Sequence, residues 1–198
     1  MVHLGTNHIK CVVIGDDCVG KTSMLVSYAT NRFPTNYVPS AFDNYAGIIS
    51  LSGKQRNLQL LDTIEQEALA DTIQTIFSGT DVFVVCYSAV QPKSFKNVQE
   101  KWIPRIRYYM GDRMPIVLVA TQTDLRDNQI VNCQLNNGSL KSVSRAQGHA
   151  LAKRIGCASY IECSPNMQKK VKQLINKAIS SVLIPQGDRL EMQSCTIL

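Results

Sequence analysis

Eight residues near the N-terminus have the spacing of a phosphate-binding loop. Gly15-Asp-Asp-Cys-Val-Gly20-Lys21-Thr22 fits the pattern G-x-x-x-x-G-K-[ST] and lies between a predicted strand, Ile9–Ile14, and a predicted helix, Lys21–Ala29. In that setting the backbone N–H groups of the loop and the helix N-terminus form a cradle for phosphate. Lys21 adds a positive charge, and the Thr22 hydroxyl suits Mg²⁺. The sequence therefore predicts that the chain binds a nucleoside triphosphate with Mg²⁺.

Two aspartates follow two other predicted strands. Asp62 comes directly after the strand Arg56–Leu61, where a carboxylate can hold Mg²⁺ through water. Asp124, in Thr121-Gln122-Thr123-Asp124, follows the strand Pro115–Thr121. Its carboxylate can accept two hydrogen bonds from the N1–H and 2-amino groups of guanine, a donor pair that adenine lacks. Because ligands bind beyond the carboxyl ends of parallel strands, these positions predict a metal site and a preference for guanine.

The rest of the pattern alternates between strands and helices, and predicts one α/β domain over residues 1–183 with a mostly parallel sheet and helices on both faces. The predicted strands are Ile9–Ile14, Asn44–Leu51, Arg56–Leu61, Val82–Tyr87, Pro115–Thr121 and Ala158–Glu162. The predicted helices are Lys21–Ala29, Gln66–Phe77, Ser94–Tyr109 with a break or kink at Pro104, Ser144–Ile155 with Ser144 as N-cap, and Gln168–Leu183. Ser52-Gly53 predicts a hairpin, and the polar segment Asn128–Ser142 is interpreted as an insertion.

Composition excludes several classes of protein. Hydrophobic residues make up 44% of the 198-residue chain, which is enough for a sizeable core and not a disordered composition. The net charge is +6, but the cations are scattered, and the densest cluster, Lys169–Lys172, is interpreted as a solvated helix face. Seven cysteines without short-range pairing indicate a reducing compartment. Neither a signal region in Met1–Lys10 nor an apolar run long enough to span a membrane is visible.

Several longer segments resemble the Rho family of small GTPases, and the resemblance extends along nearly the whole chain. It is closest to the branch that holds Rac and the Wrch- and TC-type relatives. The resemblance implies the P-loop small GTPase fold with a six-stranded sheet, a Rho-type insert near 128–142, and a tail at 184–198 that ends in a C-a-a-X box. The segments that carry it are Phe33-Pro34, Tyr37–Tyr45 (similar to switch I), Glu100–Pro104, Leu125–Asp127, Ile161–Ser164 and Cys195–Leu198.

The resemblance also implies roles for individual residues, with GTP or GDP and Mg²⁺ as cofactors. Phe33 is expected to stack on the guanine, and Gln66 is expected to orient the attacking water. Effector proteins are expected to bind switch I through Phe42 and Asp43, exchange factors are a possible class of partner, and nucleic acid is not an expected partner. The implied nucleotide-binding residues are Asp17, Cys18, Val19, Gly20, Lys21, Thr22, Ser23, Phe33, Tyr37, Ser40, Thr121, Gln122, Asp124, Leu125, Ser164 and Pro165, and the implied metal ligands are Thr22, Ser40 and Asp62.

Two departures from the family fall where hydrolysis takes place. Asp17 stands where the family almost always has glycine, so a carboxylate is expected beside the γ-phosphate, where it would crowd the catalytic Gln66. It would also crowd the arginine that a GTPase-activating protein (GAP) inserts. Glu65, in Ile64-Glu65-Gln66, stands where the family has the glycine of Ala-Gly-Gln, and it adds a second negative charge near that phosphate. These substitutions predict slow hydrolysis, GAP resistance and weak sensing of GTP.

Other departures concern binding. Ser40 replaces threonine and keeps the hydroxyl but not the methyl, so switch I is expected to order less firmly; Gln122 in place of lysine is expected to be mild. Pro165 replaces alanine and removes the N–H that would reach guanine O6, a loss of about 1 kcal/mol or about fivefold in affinity. The switch II segment Ala68–Thr72 lacks the family's tyrosine and Arg-Leu pattern, so binding of standard exchange factors and dissociation inhibitors is doubtful.

The C-terminal tail predicts a lipid anchor on Cys195, and the final Leu198 favours geranylgeranyl over farnesyl. Arg189 is the only cation of Ile184–Ser194, against Asp188 and Glu191, and no second cysteine lies nearby. Stable anchoring takes two signals. The tail therefore predicts reversible binding to the cytoplasmic face of endomembranes at least as much as of the plasma membrane.

Two functions remain open from the residues alone. The first is a Rho-type switch that binds guanine nucleotide and hydrolyses GTP slowly, which the phosphate loop, Asp62, Gln66 and Asp124 favour. The second is a scaffold that stays in one nucleotide state or binds nucleotide poorly, which Asp17, Glu65 and Pro165 favour. An ATPase is disfavoured by Asp124, because adenine lacks the donors that this carboxylate would accept.

Overall fold

The computed structural model describes residues 8–30, 44–51, 54–63, 70–164 and 168–183. Its six strands are β1 (His8–Gly15), β2 (Asn44–Leu51), β3 (Lys54–Asp62), β4 (Val82–Ser88), β5 (Ile116–Thr121) and β6 (Ser159–Glu162). They form one sheet in the order β2-β3-β1-β4-β5-β6. The β2–β3 pair is antiparallel and the other four pairs are parallel. The mostly parallel six-stranded sheet predicted from the sequence is confirmed.

Helices cover both faces of this sheet, as predicted. They are α1 (Lys21–Thr30), α2 (Ala70–Phe77), α3 (Pro92–Asn97), α4 (Ile103–Met110), α5 (Gln129–Asn137), α6 (Arg145–Arg154) and α7 (Gln168–Leu183). On one face α1 and α7 bury apolar side chains such as Leu25 and Leu174, and on the other α4 and α6 bury Ile106 and Leu151. No described helix is both long enough and apolar enough to cross a bilayer.

The register of the parallel strands brings the predicted site residues to one edge of the sheet. Val13 pairs with Asp62 across β1 and β3, Gly15 pairs with Cys86 across β1 and β4, and Ser88 pairs with Thr121 across β4 and β5. All seven residues of β4 are buried, as expected of a central strand covered on both faces. The carboxyl ends of these strands therefore meet where ligands bind in such sheets.

Of the break or kink predicted at Pro104, the break does not occur, and the helix is instead locally irregular just before this residue. A five-residue π-helical turn, Val98–Trp102, joins α3 to α4, and Pro104 lies just after it. The N–H of Ile103 donates to the carbonyl of Val98, five residues earlier instead of four. Because proline has no N–H and its ring clashes with the preceding turn of a regular helix, this wider turn accommodates Pro104 without interrupting the helical path.

The insertion at Asn128–Ser142 contains a helix, α5, that the sequence analysis did not predict. The side chain of Asn128 caps it by accepting hydrogen bonds from the N–H groups of Ile130 and Val131, at 3.0 and 3.2 Å. The sequence signal for this helix was Asn128, a favourable N-cap residue, shortly before the apolar pair Ile130-Val131. The predicted cap at Ser144 is confirmed, with a capping box in which Gln147 reciprocates.

Candidate functional site

The phosphate-binding pattern forms a sharp loop between β1 and α1. Gly15 has φ of +149°, and a Cβ there would lie 2.2 Å from the carbonyl oxygen of Cys86. Gly20 has φ of +89°, and Cys18 is left-handed at +59°. Both glycines are therefore required, one by contact with β4 and one by backbone conformation. The predicted residues Asp17 and Cys18 are exposed, whereas Val19 is fully buried.

Lys21 holds the loop together from within. Its side chain is 6% exposed, and its ammonium donates hydrogen bonds to the carbonyl oxygens of Gly15 and Asp16, both at 2.8 Å. An ammonium has three N–H donors, so this geometry offers the third to an anion in the loop. The arrangement places one positive charge inside a cradle of backbone N–H groups, which suits a phosphate.

Thr22 and Asp62 come together from different elements at the mouth of the loop. The Thr22 hydroxyl, in the first turn of α1 next to Ser23, donates to Asp62 Oδ2 at 2.5 Å. Asp62 is 3% exposed, and the adjoining Thr63 donates to the carbonyl of Val13 at 2.9 Å, which fixes the end of β3 against β1. A hydroxyl and a carboxylate are the hard oxygen ligands that Mg²⁺ prefers. Thr22 and Asp62 therefore fit a Mg²⁺ site.

Gln122 connects the predicted base-binding segment to the phosphate loop. Its side-chain N–H donates to the carbonyl of Cys18 at 3.2 Å, and its amide oxygen accepts from the Ser88 hydroxyl at 2.5 Å. Gln122 has φ of +53°, so the backbone turns abruptly as it leaves β5. The glutamine amide thus supplies a donor to the phosphate loop, which supports the expectation that glutamine in place of lysine is a mild change.

Thr121 makes a second connection at the same point. Its hydroxyl is fully buried and lies 2.5 Å from the carbonyl oxygen of Val19 and 2.9 Å from that of Tyr87. One buried hydroxyl therefore joins the phosphate loop, β4 and β5. The phosphate side and the predicted base side of the site are held as one unit.

The two predicted base-binding loops lie close together. Asp124 is exposed in a short 3₁₀ turn, Thr123–Leu125, that follows β5. Burial raises the pKa of Cys163 to about 12, and the nearby Asp124 carboxylate contributes to that rise. Ser164 is fully buried, and within the described residues its hydroxyl has no hydrogen-bond partner. Since buried hydroxyls are nearly always paired, Ser164 indicates a place for a ligand or water.

A buried polar network behind these loops was missed by the sequence analysis. Arg126 pairs with both carboxylate oxygens of Glu162, at 2.6 and 3.1 Å, and Tyr160 donates to Glu162 at 2.9 Å. The hydroxyl of Tyr87 lies 2.9 Å from that of Tyr160. Burial would raise the pKa of Glu162, but the hydrogen bonds from Arg126 and Tyr160 prevail and lower it. The network fixes the segment after Asp124 against β6.

A second contact that the sequence analysis missed ties the phosphate loop to the helix that carries the π turn. The Asp16 carboxylate accepts hydrogen bonds from Trp102 Nε1 at 2.7 Å and Asn97 Nδ2 at 2.6 Å. Trp102 is 5% exposed and belongs to the π turn. Such turns are frequent at functional sites. The Asp16 side chain is therefore directed away from Lys21, and its carboxylate anchors the phosphate loop to the π turn.

Some predicted site residues lie outside the described residues. They are Phe33, Tyr37, Ser40, Phe42, Asp43, Ile64, Glu65, Gln66, Pro165 and Cys195. Their roles remain predictions. The residues that the structure does bring together are those of the phosphate loop, the predicted metal ligands Thr22 and Asp62, and the loops that carry Asp124 and Ser164.

Comparison with known protein families gives a match over most of the chain. The model of the Ras family matches residues 10–184. This range begins in β1 and extends past the end of α7, so it includes the phosphate loop, Asp62, Asp124 and the insertion that contains α5.

Proposed function

Because the chain belongs to the Ras family of small GTP-binding switch proteins, we propose that it is a Rho-like switch that binds GTP or GDP with Mg²⁺ and hydrolyses GTP slowly. The observation that carries this proposal is the clasp of Lys21 on the phosphate loop, with Thr22 and Asp62 in contact beside it. The finer assignment to the Rho type rests on the switch I segment Tyr37–Tyr45 and on Glu100–Pro104.

Each part of the site has a role in holding the nucleotide. Lys21 and the loop N–H groups bind the phosphate chain, and the Asp124 carboxylate selects guanine. Thr22 and Asp62, with Ser40, would hold Mg²⁺, which neutralises charge that develops on the β- and γ-phosphates. Gln66 would orient the attacking water.

The slow hydrolysis follows from two carboxylates. Asp17 is exposed in the phosphate loop, and Glu65 directly precedes the catalytic Gln66. Both add negative charge near a phosphate that becomes more negative at its leaving oxygen during transfer. Asp17 also occupies space that a GAP arginine needs, and that arginine contributes roughly 10³–10⁵-fold to the rate.

A non-cycling scaffold remains the alternative function. The specific observation in its favour is that Asp17, Glu65 and Pro165 change three positions that act on different steps: hydrolysis, sensing of GTP and base binding. Against it, the described residues retain the phosphate clasp and the Thr22–Asp62 contact. The balance favours a switch with impaired hydrolysis.

Membrane attachment and partners complete the proposal. Geranylgeranylation of Cys195 would hold the protein at the cytoplasmic face of membranes. Mass spectrometry of the C-terminal peptide from eukaryotic cells tests this, and an unmodified Cys195 would contradict it.

Effectors would bind through Phe42 and Asp43, in cytoskeletal, polarity or membrane-trafficking signalling. Exchange factors are a possible class of partner, but the altered switch II segment disfavours those of the standard kind, and standard GAPs and dissociation inhibitors are not expected.

The function is tested on purified full-length protein. Bound nucleotide is extracted and identified, and hydrolysis of GTP is then followed in a single turnover with and without a Rho-type GAP domain. We expect guanine nucleotide at near one-to-one occupancy and slow hydrolysis that the GAP does not accelerate. A protein that holds no guanine nucleotide would support the scaffold, and rapid GAP-stimulated turnover would contradict the role given to Asp17.

Trp102→Phe tests whether the support of Asp16 matters for nucleotide binding. The substitution keeps an aromatic ring but removes the N–H that Asp16 accepts, a hydrogen bond to a charged group worth about 1.5–3 kcal/mol. We expect release of a fluorescent GDP analogue to become about three- to tenfold faster. Thr80→Val is the control, because Thr80 is also buried and bonds only locally, to the carbonyl of Ile76. Equal release rates in both variants would contradict a role for the hydrogen bond between Trp102 and Asp16 in nucleotide binding.

A further inference from the structure

The lysines and arginines are spread along the chain, but its net positive charge is confined to one third of it, which contains almost no acidic residues. Residues 128–187 contain eight lysines and arginines and one acidic residue, a net of seven positive charges. The remainder contains thirteen basic and fourteen acidic residues, a net of one negative charge. The whole excess of +6 therefore comes from a single stretch that includes α5, α6, β6 and α7. Such asymmetry indicates an anionic partner.

The one acidic residue of this stretch does not offset the charge. Glu162 is 13% exposed in its side chain, and both of its carboxylate oxygens are engaged by Arg126. Its negative charge is thus neutralised inside the protein. In contrast, all the lysines and arginines of the stretch whose burial the structure describes are exposed.

The cations of α7 share its solvent side. Val171, Leu174 and Ile175 are fully buried against the sheet, whereas Lys170, Lys172 and Lys177 are exposed. No acidic residue occurs anywhere in this 16-residue helix. The outer face of α7 is therefore uniformly positive or uncharged over its length, about 24 Å.

Helix α6 extends the positive surface around the edge of the sheet. β6 is the last strand, with α6 packed on one face of the sheet and α7 on the other. Arg145 and Lys153 of α6 are exposed, whereas the guanidinium of Arg154 donates a hydrogen bond to Gln99 Oε1 in the π turn and is directed toward that turn. Arg145 helps to lower the pKa of Glu162, and Lys170 opposes the burial that raises the pKa of Cys163. Cations of both helices therefore lie close to the end of β6.

We propose that this surface, defined by Lys170, Lys172 and Lys177 of α7 and Arg145 and Lys153 of α6, binds the anionic face of a membrane. Negatively charged lipid headgroups complement two helices that contain no acidic residue of their own, and each lysine or arginine near such a membrane contributes about fivefold in affinity. Leu183 ends α7, and Cys195 lies twelve residues later, at most about 40 Å along the chain. The α7 face is thus within reach of a membrane that holds Cys195.

The membrane is favoured over nucleic acid by what the surface lacks. Proteins that bind single-stranded nucleic acid combine positive charge with aromatic side chains on which bases stack. Residues 128–187 contain a single phenylalanine, tyrosine or tryptophan, Tyr160, whose hydroxyl is engaged in the partly buried network with Glu162 and whose ring packs against His149. The surface therefore offers charge without a stacking platform.

The inference also supplies a second anchoring signal. The tail segment Ile184–Ser194 has one basic and two acidic residues, so it adds no electrostatic attraction of its own. A single lipid chain binds membranes only marginally, and a basic surface makes anchoring stable. Here the folded domain carries that basic surface. The inference stands on charge distribution and does not depend on GTP hydrolysis or on the lipidation of Cys195.

The test uses full-length, unlipidated protein loaded with GDP and Mg²⁺. Nucleotide content is measured on the same samples, so that a loss of nucleotide binding is distinguished from a loss of membrane binding. Binding is measured by co-sedimentation with vesicles of phosphatidylcholine alone or with roughly 30% phosphatidylserine, an anionic lipid of the cytoplasmic leaflet. We expect binding only to the anionic vesicles, and its loss when salt is raised to about 0.5 M, where the Debye length falls below about 5 Å.

Two triple variants distinguish membrane binding through this surface from binding that depends only on the net charge of the protein. Lys170→Gln, Lys172→Gln and Lys177→Gln together are expected to lower the partition coefficient by up to about a hundredfold. The control, Lys93→Gln, Lys96→Gln and Arg113→Gln, removes the same charge from exposed positions outside residues 128–187 and is expected to retain binding. Equal losses in both variants, equal binding to both kinds of vesicle, or no binding at all would overturn the proposal. Submicromolar binding to a short RNA duplex with no vesicle binding would assign the surface to nucleic acid instead.

Discussion

Replacing Asp17 and Glu65 together with glycine is expected to raise GAP-stimulated GTP hydrolysis by about 10³-fold or more. The GAP arginine contributes roughly 10³–10⁵-fold where it can enter, and Asp17 is exposed in the loop that it must approach. Glycine at position 17 removes both the carboxylate and the Cβ, and glycine at position 65 restores backbone freedom next to Gln66. Single-turnover assays with a Rho-type GAP domain measure the change.

The control for this double variant removes a different exposed aspartate. Asp112→Gly deletes one negative charge, against two in the double variant, in the turn between α4 and β5, where Asp112 has a side chain 88% exposed and pairs weakly with Arg107. We expect it to hydrolyse GTP as slowly as the unaltered protein. If the double variant also stays slow while it binds GTP normally, the cause of slow hydrolysis lies elsewhere in the chain.

Replacing Lys21 with methionine is expected to weaken nucleotide binding by about a hundredfold or more. Methionine has a similar length, so the loss is that of an ammonium that bonds the carbonyls of Gly15 and Asp16 and faces the phosphate cradle. Hydrogen bonds to charged groups contribute about 1.5–3 kcal/mol each, and about 3 kcal/mol corresponds to roughly a hundredfold. Titration with a fluorescent GDP analogue measures the affinity.

Lys10→Met is the matched control for Lys21→Met. Lys10 lies on the same strand–loop segment and donates to a single carbonyl, that of Ser78, at 2.7 Å. Burial lowers its pKa and the Asp81 carboxylate opposes this, so Lys10 is also a partly buried ammonium, but at the other end of β1. We expect Lys10→Met to bind GDP normally. Normal GDP affinity in Lys21→Met would contradict the proposal that Lys21 binds the phosphates of the nucleotide.

Much of the fold is predictable from the sequence because its signals are local. The strands β1, β4 and β5 are short apolar runs, and the phosphate loop is a fixed spacing of glycine, lysine and threonine. α5 was missed because its helical signal is weak in a polar segment without charge. The break considered at Pro104 does not occur because a π turn, which no sequence pattern reveals, precedes the proline.

The sequence by itself determined the α/β architecture, the phosphate loop, and the placement of Asp62 and Asp124 after their strands. Local spacing was sufficient for these because each depends on neighbours within a few residues. Only the tertiary structure decided what supports them. Asp16 meets Trp102 across 86 positions, Gln122 meets Cys18 across 104, and Arg126 meets Glu162 across 36.

The basic surface was also decided by the tertiary structure. The number of charges is read from the sequence, but the packing of α6 and α7 around β6 places these side chains at the surface. Side chains so far apart along the chain are brought together by strand order and register, which no local pattern specifies.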